Sequence, residues 1–382
     1  MLNTKSERFI REIMQSLDIQ VDGERPWDVR IHNPLFYKRV ATQGSLGLGE
    51  AYMDGWWDCD ALDELFYRLL RNKADEKTAD TGLRKIYKSI KNYLVSVQNQ
   101  IQRKTRAFII GQHHYDLGNE LFSIMLDKGL NYSCAYWHKA ENLQQAQTEK
   151  LDLICRKIGL KPGMEVLDIG CGWGGFARHA AQNYGVKVTG VTVSKEQADY
   201  ARNVCKELDV TVELVDYRQV QGKYDRVVSV GMFEHVGWRN YRRFMDKVHQ
   251  VLDNSGLFLL HTIGSNDSLT ASDPWIGTYI FPHSMIPSVA QICRAAERRF
   301  IVEDWHNFGL YYDSTLMVWY KNFVNNYNKI KERYDLRFFR MWTYYLLVSA
   351  ASFRARKNQL WQIVFSKQGL DRVFRSEGEL FP

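Results

Sequence analysis

Val166-Leu167-Asp168-Ile169-Gly170-Cys171-Gly172-Trp173-Gly174-Gly175 decides how this chain is read. An apolar run breaks into glycines, the pattern of a short buried strand that ends in a tight turn and opens a helix. Glycines at 170, 172 and 174 let the backbone take positive φ and come close to a ligand. The first N–H groups of the helix that starts near Gly174 face the same place. Such a turn serves nicotinamide, flavin and S-adenosylmethionine (SAM) sites alike. The spacing favours SAM, because Gly172-Trp173-Gly174-Gly175 is not followed by the third glycine that dinucleotide sites use for tight helix packing. Asp168, at the strand end, is placed to point its carboxylate into the crevice.

Downstream, strands over 165–170, 186–193, 210–216, 224–231 and 256–263 alternate with helices over 174–184, 194–207 and 239–252. This alternation predicts an α/β fold, a doubly wound and mostly parallel sheet covered on both faces. Ligands on such sheets sit beyond the strand C-termini. Here those ends are Asp168–Gly172, Thr192–Ser194, Asp216–Arg218, Gly231–His235 and His261–Gly264. Further helices are expected near 285–299, 315–330 and 335–353. Gln359–Phe365 reads as a late strand, antiparallel at the far edge of the sheet.

Upstream, Phe9, Ile10, Ile13, Met14 and Leu17 mark a helical start. The glycine-punctuated stretch Gly44–Trp57 ends on an aromatic pair, Trp56 and Trp57, expected to be exposed. It is no phosphate loop, since no Gly-Lys-Ser/Thr follows. From Leu83, apolar residues at 83, 86, 87, 90, 93, 94, 97 and 101 form a helical stripe, with Arg84, Lys85, Lys88, Lys91, Arg103 and Lys104 among the other positions. That is a basic amphipathic helix, expected to pack on protein with its basic face turned to lipid. His113 and His114 are adjacent without a nearby third ligand, so no metal is expected. The domains expected are a mostly helical N-terminal accessory domain at 1–82, a linker helix at 83–110 and a catalytic domain at 111–382.

Net charge is +7 over 382 residues, unevenly spread. Residues 71–106 hold ten Lys/Arg against three acids, and 321–382 hold twelve against five. Two positive regions around an acidic middle suit an anionic partner, nucleic acid or a phospholipid surface. No run of about 18 apolar residues occurs. The six cysteines (59, 134, 155, 171, 205, 293) show neither close pairing nor metal-ligand spacing, the usage of free thiols in a reducing compartment. Without a secretory pattern at the start of the sequence, a cytoplasmic location is expected.

Taken together, the motifs resemble those of the cyclopropane-fatty-acyl-phospholipid synthases and the related mycolic-acid cyclopropane synthases. The matching pieces are His114–Asn119, Tyr132–Trp137, Val166–Gly175, Ser229–Val236, Leu260–Gly264, Glu303–Phe308, Ser352–Arg356 and Leu360–Phe365. Gly44–Trp57 is similar to the extra domain of the bacterial phospholipid enzymes. The resemblance implies a Rossmann-like SAM-dependent methyltransferase fold and a reaction in which the methyl carbon of SAM bridges a cis double bond in a membrane phospholipid. An isolated alkene is a weak nucleophile, so such a site supplies proximity and dryness more than acid–base assistance. Aromatic faces such as Tyr132, Tyr136, Trp137 and Phe233 suit the carbocation that methyl transfer leaves.

By the same resemblance, ring closure uses a bound bicarbonate as base, held by Cys134, Glu234, His261, Tyr312 and the backbone of Ile263. A carboxylate beside the ion makes it more basic. SAM is implied to sit on Tyr132 and Ser133, then on Asp168, Gly170, Cys171, Gly172 and Gly174. Thr192, Ser194 and Gln197 are implied to hold the ribose, standing where many SAM methyltransferases place an acid. Tyr217 and Arg218 are implied to flank the adenine. The partners expected are an anionic bilayer and a second copy in a homodimer, with the protein held peripherally at the inner face of the cytoplasmic membrane and no nucleic acid bound. Rival readings are a SAM enzyme that captures the cation with water or stops at a methyl branch, a nicotinamide oxidoreductase on the same sheet, and a nucleic-acid-binding protein.

Overall fold

Alternate residues of the central strands feed two different apolar cores. In the computed structural model, which describes residues 5–71, 118–282, 284–371 and 374, Val166, Val228, Leu259 and Val364 face one core. Leu167, Ile169, Val227, Phe258, Leu260, Ile363 and Phe365 face the other. A period of two that is apolar on both faces belongs to a sheet covered on both sides.

The chain forms two compact units, cut differently from the three consecutive segments expected. The first combines the N-terminal region with residues 271–282 and 312–358. The second holds the described residues from 118 to 270, 284–311 and from 359 onward. The expected linker helix at 83–110 and the histidines at 113 and 114 lie outside the described residues.

In the second unit, strands β3 (Glu165–Ile169), β4 (Lys187–Thr192), β5 (Val210–Leu214), β6 (Tyr224–Val230), β7 (Leu252–Ser265), β8 (Ile301–Asn307) and β9 (Asn358–Ser366) form one sheet in the order β5-β4-β3-β6-β7-β9-β8. These follow two short strands of the first unit, β1 (Arg30–Ile31) and β2 (Trp57–Asp58). The strands from β5 through β7 in that order pair in parallel, and β8 pairs antiparallel to β9. Helices Gly175–Tyr184, Lys195–Val204 and Tyr241–Val251 make the crossovers. The late strand is therefore inside the sheet and not at its edge. Strand β8, unforeseen, takes the edge; its Ile-Val-Glu-Asp-Trp-His-Asn sequence mixes charge into a half-exposed strand and hides the period.

In the first unit, helix Ser45–Met53 carries most of the glycine-punctuated stretch Gly44–Trp57. Gly49 lies within it because a Cβ there would stand 2.4 Å from the Trp275 ring. Trp57 is not exposed: it is fully buried, and its Nε1 donates to the Leu48 carbonyl at 3.0 Å. Phe66 and Trp275 both pack on Tyr344, with ring centroids 5.2 and 4.5 Å away. Arg354 donates to Asp313 at 2.9 and 3.0 Å and to Asp63 at 2.8 Å. These contacts tie helix Leu336–Arg354 to residues near the chain start.

Candidate active site

The turn after β3 places three glycines at positive φ, Gly170 at 86°, Gly172 at 54° and Gly174 at 83°. They do different work. A Cβ on Gly172 would meet nothing within 4 Å, since this residue lines an open cleft. A Cβ on Gly170 would stand 2.8 Å from Met232, and one on Gly174 would press on Ala201 at 3.1 Å and Cys205 at 3.4 Å. Gly174 is thus a packing residue beneath helix Lys195–Val204, not part of the cleft wall.

The cleft runs along the C-terminal ends of β3, β4, β5 and β6. Of the residues expected at the cofactor, Tyr132, Ser133, Asp168, Gly170, Cys171, Gly172, Thr192, Ser194, Gln197 and Tyr217 line it. Thr192 Oγ1 donates to Gln197 Oε1 at 3.1 Å, and Ser194 caps the following helix by accepting from Gln197 N at 3.3 Å. Arg218 does not line it. Its guanidinium turns back onto Asp216, with Nε 2.7 Å from Oδ1 and Nη2 2.6 Å from Oδ2. Asp216 itself borders the cleft, two residues beyond the end of β5 at Leu214, and its place at the expected strand end was the available signal.

Asp168 is buried, and its Oδ2 has no hydrogen-bond partner. Burial raises its pKa to about 7, against the pull of the Lys150 ammonium. An orphaned acceptor beside an open glycine cradle fits a positively charged cofactor with a polar tail, as SAM is.

A second polar group lies at the ends of β6 and β7. Glu234 Oε1 accepts the Ile263 N–H at 2.7 Å, while its Oε2 is buried with no partner. Burial raises Glu234 to about 7, opposed by the hydrogen bonds it receives. His261, two residues before Ile263, is fully buried and held well below the ordinary histidine range by desolvation, with Lys150 and Lys157 adding to it. Gln362 Nε2 lies 3.3 Å from His261 Nδ1; with that amide donating, Nε2 carries the ring proton, and it has no partner. One acceptor, Glu234 Oε2, and one donor, His261 Nε2, are thus buried without a partner, the kinds of group that a small protonated oxyanion would satisfy.

Cys134 is fully buried, and its thiol donates to the Ala135 carbonyl at 3.3 Å. Tyr312 belongs to the first unit, where it stacks on Phe353 at 4.6 Å. Among the aromatics expected to face a cation, Tyr132 lines the cleft and Trp137 is half-buried. Tyr136 is ringed by His306, Phe308 and Tyr311 at 5.9, 5.3 and 5.4 Å. Phe233 is instead core, fully buried and stacked on Tyr241 at 4.2 Å.

The sequence reading missed Lys150. It lines the cleft from helix Leu143–Lys157, buried on the same face as Leu143, Ala146, Gln147, Leu151 and Ile154. A lysine inside an apolar stripe was the signal.

Residues 102–363 match the protein family described as mycolic acid cyclopropane synthetase. The chain is 51% identical over 360 residues to the cyclopropane-fatty-acyl-phospholipid synthase of Escherichia coli K12, covering 94% of this chain and 93% of that protein. Among solved structures, the cyclopropane synthase MmaA2 of Mycobacterium tuberculosis superposes with a TM-score of 0.65 at 31% identity, over 68% of this chain and 98% of that one. The mycolic acid cyclopropane synthase CmaA1, solved with S-adenosylhomocysteine (SAH) and CTAB, gives 0.64 at 32% identity over the same shares.

Proposed function

The chain belongs to the mycolic acid cyclopropane synthetase family, and from that premise we propose that it turns the cis double bond of an unsaturated acyl chain, carried on a membrane phospholipid, into a cyclopropane, with proton loss to a bound bicarbonate. It is a SAM-dependent methyltransferase homologous to cyclopropane-fatty-acyl-phospholipid synthase. SAM, when bound, supplies an electrophilic methyl carbon. Tyr132, Ser133, Asp168, Gly170, Cys171, Gly172, Thr192, Ser194, Gln197 and Tyr217 are the residues that would hold it.

The observation that carries the finer reading is the leftover pair in the second polar group. Glu234 Oε2 accepts and His261 Nε2 donates, both buried, the first just after β6, whose end borders the cleft, and the second on the neighbouring strand β7. Bicarbonate, held there with the help of Cys134, Tyr312 and the Ile263 backbone, would supply the base. Glu234, once ionised, orients the ion's hydroxyl and raises its basicity. The rings around Tyr136 would help to keep the reacting centre dry and to stabilise positive charge.

The same reading takes in a bilayer surface. The basic positions between 71 and 106 are suited to anionic lipid, and no helix among the described residues is long and apolar enough to cross a membrane. A homodimer held peripherally at the inner face of the cytoplasmic membrane completes the proposal, on the strength of the family resemblance.

The test is incubation with SAM and vesicles of monounsaturated phospholipid, followed by mass analysis of the acyl chains. A gain of one CH₂ with loss of the alkene is expected. A gain of CH₂ plus water would mean that the cation is captured by water, and an unchanged acyl chain would overturn the proposal.

A further inference from the structure

Lys150 is a buried cation that the proposed chemistry leaves without a role. Only 1% of it is exposed, and its Nζ donates to Ser133 Oγ at 2.9 Å. One helical turn earlier, Gln147 Nε2 donates to the carbonyls of Ser133 at 2.9 Å and Asn131 at 3.2 Å. Two side chains at i and i+3 share a helix face, and here they clamp the segment that carries Tyr132, Ser133 and Cys134.

The titratable groups that interact electrostatically with the ammonium come from four elements: Asp127 from the loop after helix Asn119–Met125, Cys134 from the clamped segment, Asp168 from β3 and His261 from β7; of these, Asp168 lines the same cleft as Lys150. Asp127 is already engaged, accepting from Gly129 N at 2.9 Å and from Asn131 N and Nδ2 at 2.8 Å. Asp168 keeps a free oxygen in the cleft wall. The thiols of Cys171 and Cys205 are its other titratable neighbours. A buried carboxylate with no opposite charge nearby stays protonated, and a neutral acid gives little to a cationic ligand.

We propose that Lys150 is a positioning residue of the cofactor cleft: through Ser133 it fixes the Tyr132–Cys134 segment, and as counter-charge it keeps Asp168 ionised for the α-ammonium group that SAM and SAH share. This rests on the cleft being the SAM site. Burial brings the two groups close together on the pH scale, Asp168 up to about 7 and Lys150 down to about 8.

The experiment is calorimetric titration of SAH into wild type, Lys150→Met and Lys150→Arg across pH 6–8. In wild type, affinity rises with pH as Asp168 ionises. In Lys150→Met that rise should move up by about one pH unit or more, with affinity at pH 7 lowered about tenfold. Lys150→Arg, which keeps the charge, should restore most of the wild-type profile. A Lys150→Met profile that coincides with wild type overturns the proposal. Should Lys150→Met fail to fold, wild type in buffers of different ionisation enthalpy decides: binding at pH 7 should release part of a proton, and no release overturns it. Failure of wild type to bind SAH at all would instead remove the reading of the cleft.

Discussion

The Ile263 backbone N–H donates to Glu234 Oε1 at 2.7 Å and so occupies one oxygen of a buried carboxylate while leaving the other, Oε2, without a partner. The bond aims the side chain. Orientation is fixed by a main-chain group of β7, and the other oxygen is buried without a partner.

Glu234→Gln keeps the size and the acceptor toward Ile263 but removes the charge. Turnover should fall by roughly two orders of magnitude, as for the loss of general-base assistance, with SAH affinity almost unchanged. Tyr312→Phe should weaken attachment of the ion instead, so added bicarbonate should recover part of its rate. Rates measured in buffer stripped of carbon dioxide, then with bicarbonate restored, check both. A Glu234→Gln enzyme as fast as wild type in both buffers would make Glu234 structural.

The same carboxyl leaves a mark on stability. In an unfolded chain Glu234 titrates near 4, and in the fold burial raises it to about 7. The folded state therefore binds the extra proton between these values. Its stabilising contribution is complete below pH 4 and is lost as pH rises through 7, about 3 kcal/mol at most. The Tm of Glu234→Gln without ligand, taken as a difference from wild type, should grow more favourable between pH 5 and 8. A constant difference would mean that the carboxyl is not protonated in the fold at pH 5.

Two glycines of one turn should separate binding from stability. Gly172→Val places a side chain in the open cleft and should cost SAH at least tenfold in affinity. The strain of a φ of 54° adds about 1–2 kcal/mol of instability. Gly174→Ala, against Ala201 and Cys205, should lower Tm while leaving affinity within a few-fold. Calorimetry and thermal melts give both readings, and wild-type affinity in Gly172→Val would displace the site.

Gly264 lies on β7 where a Cβ would stand 2.0 Å from the Trp361 ring. Gly264→Ala should destabilise by about 1–3 kcal/mol, the range for overpacking. A double variant with Trp361→Phe should recover part of this loss, measured by urea denaturation. Additive effects of the two changes would show that the ring is not the obstacle.

Charge reversal at Lys85, Lys88 and Lys91 to Glu should release the protein from anionic vesicles, since each lysine near such a surface contributes about 1 kcal/mol. SAH affinity should stay as in wild type. Vesicle sedimentation that does not change at low and moderate salt would remove these lysines from the membrane contact.

Much of the second unit was legible because its signals are local. Apolar period and glycine turns place β3 to β7 within a few residues, and the cofactor cleft follows from where those strands end. What escaped was set by partners far away in sequence. Lys150 stands out only as a lysine inside an apolar stripe, and its role appears once Ser133 is folded against it. Arg218 reads as a ligand contact until Asp216 captures it. Phe233 and Trp57 look available until Tyr241 and the Leu48 carbonyl claim them. Strand β8 carries Glu303, Asp304 and His306, which conceal an edge strand that only its pairing with β9 defines.

The first unit draws its core from residues separated by two hundred positions or more: Phe66 meets Tyr344, and Asp63 meets Arg354. A ribosome releases the early helices long before their partners exist. Leu62, Leu65 and Phe66, buried in the finished protein, must spend most of synthesis uncovered, open to chaperones or to neighbouring nascent chains. The seven-stranded unit likewise lacks β9, an inner strand, until all its other strands have been made. Neither unit closes early, so truncation near residue 310 should yield aggregates and not a smaller soluble enzyme.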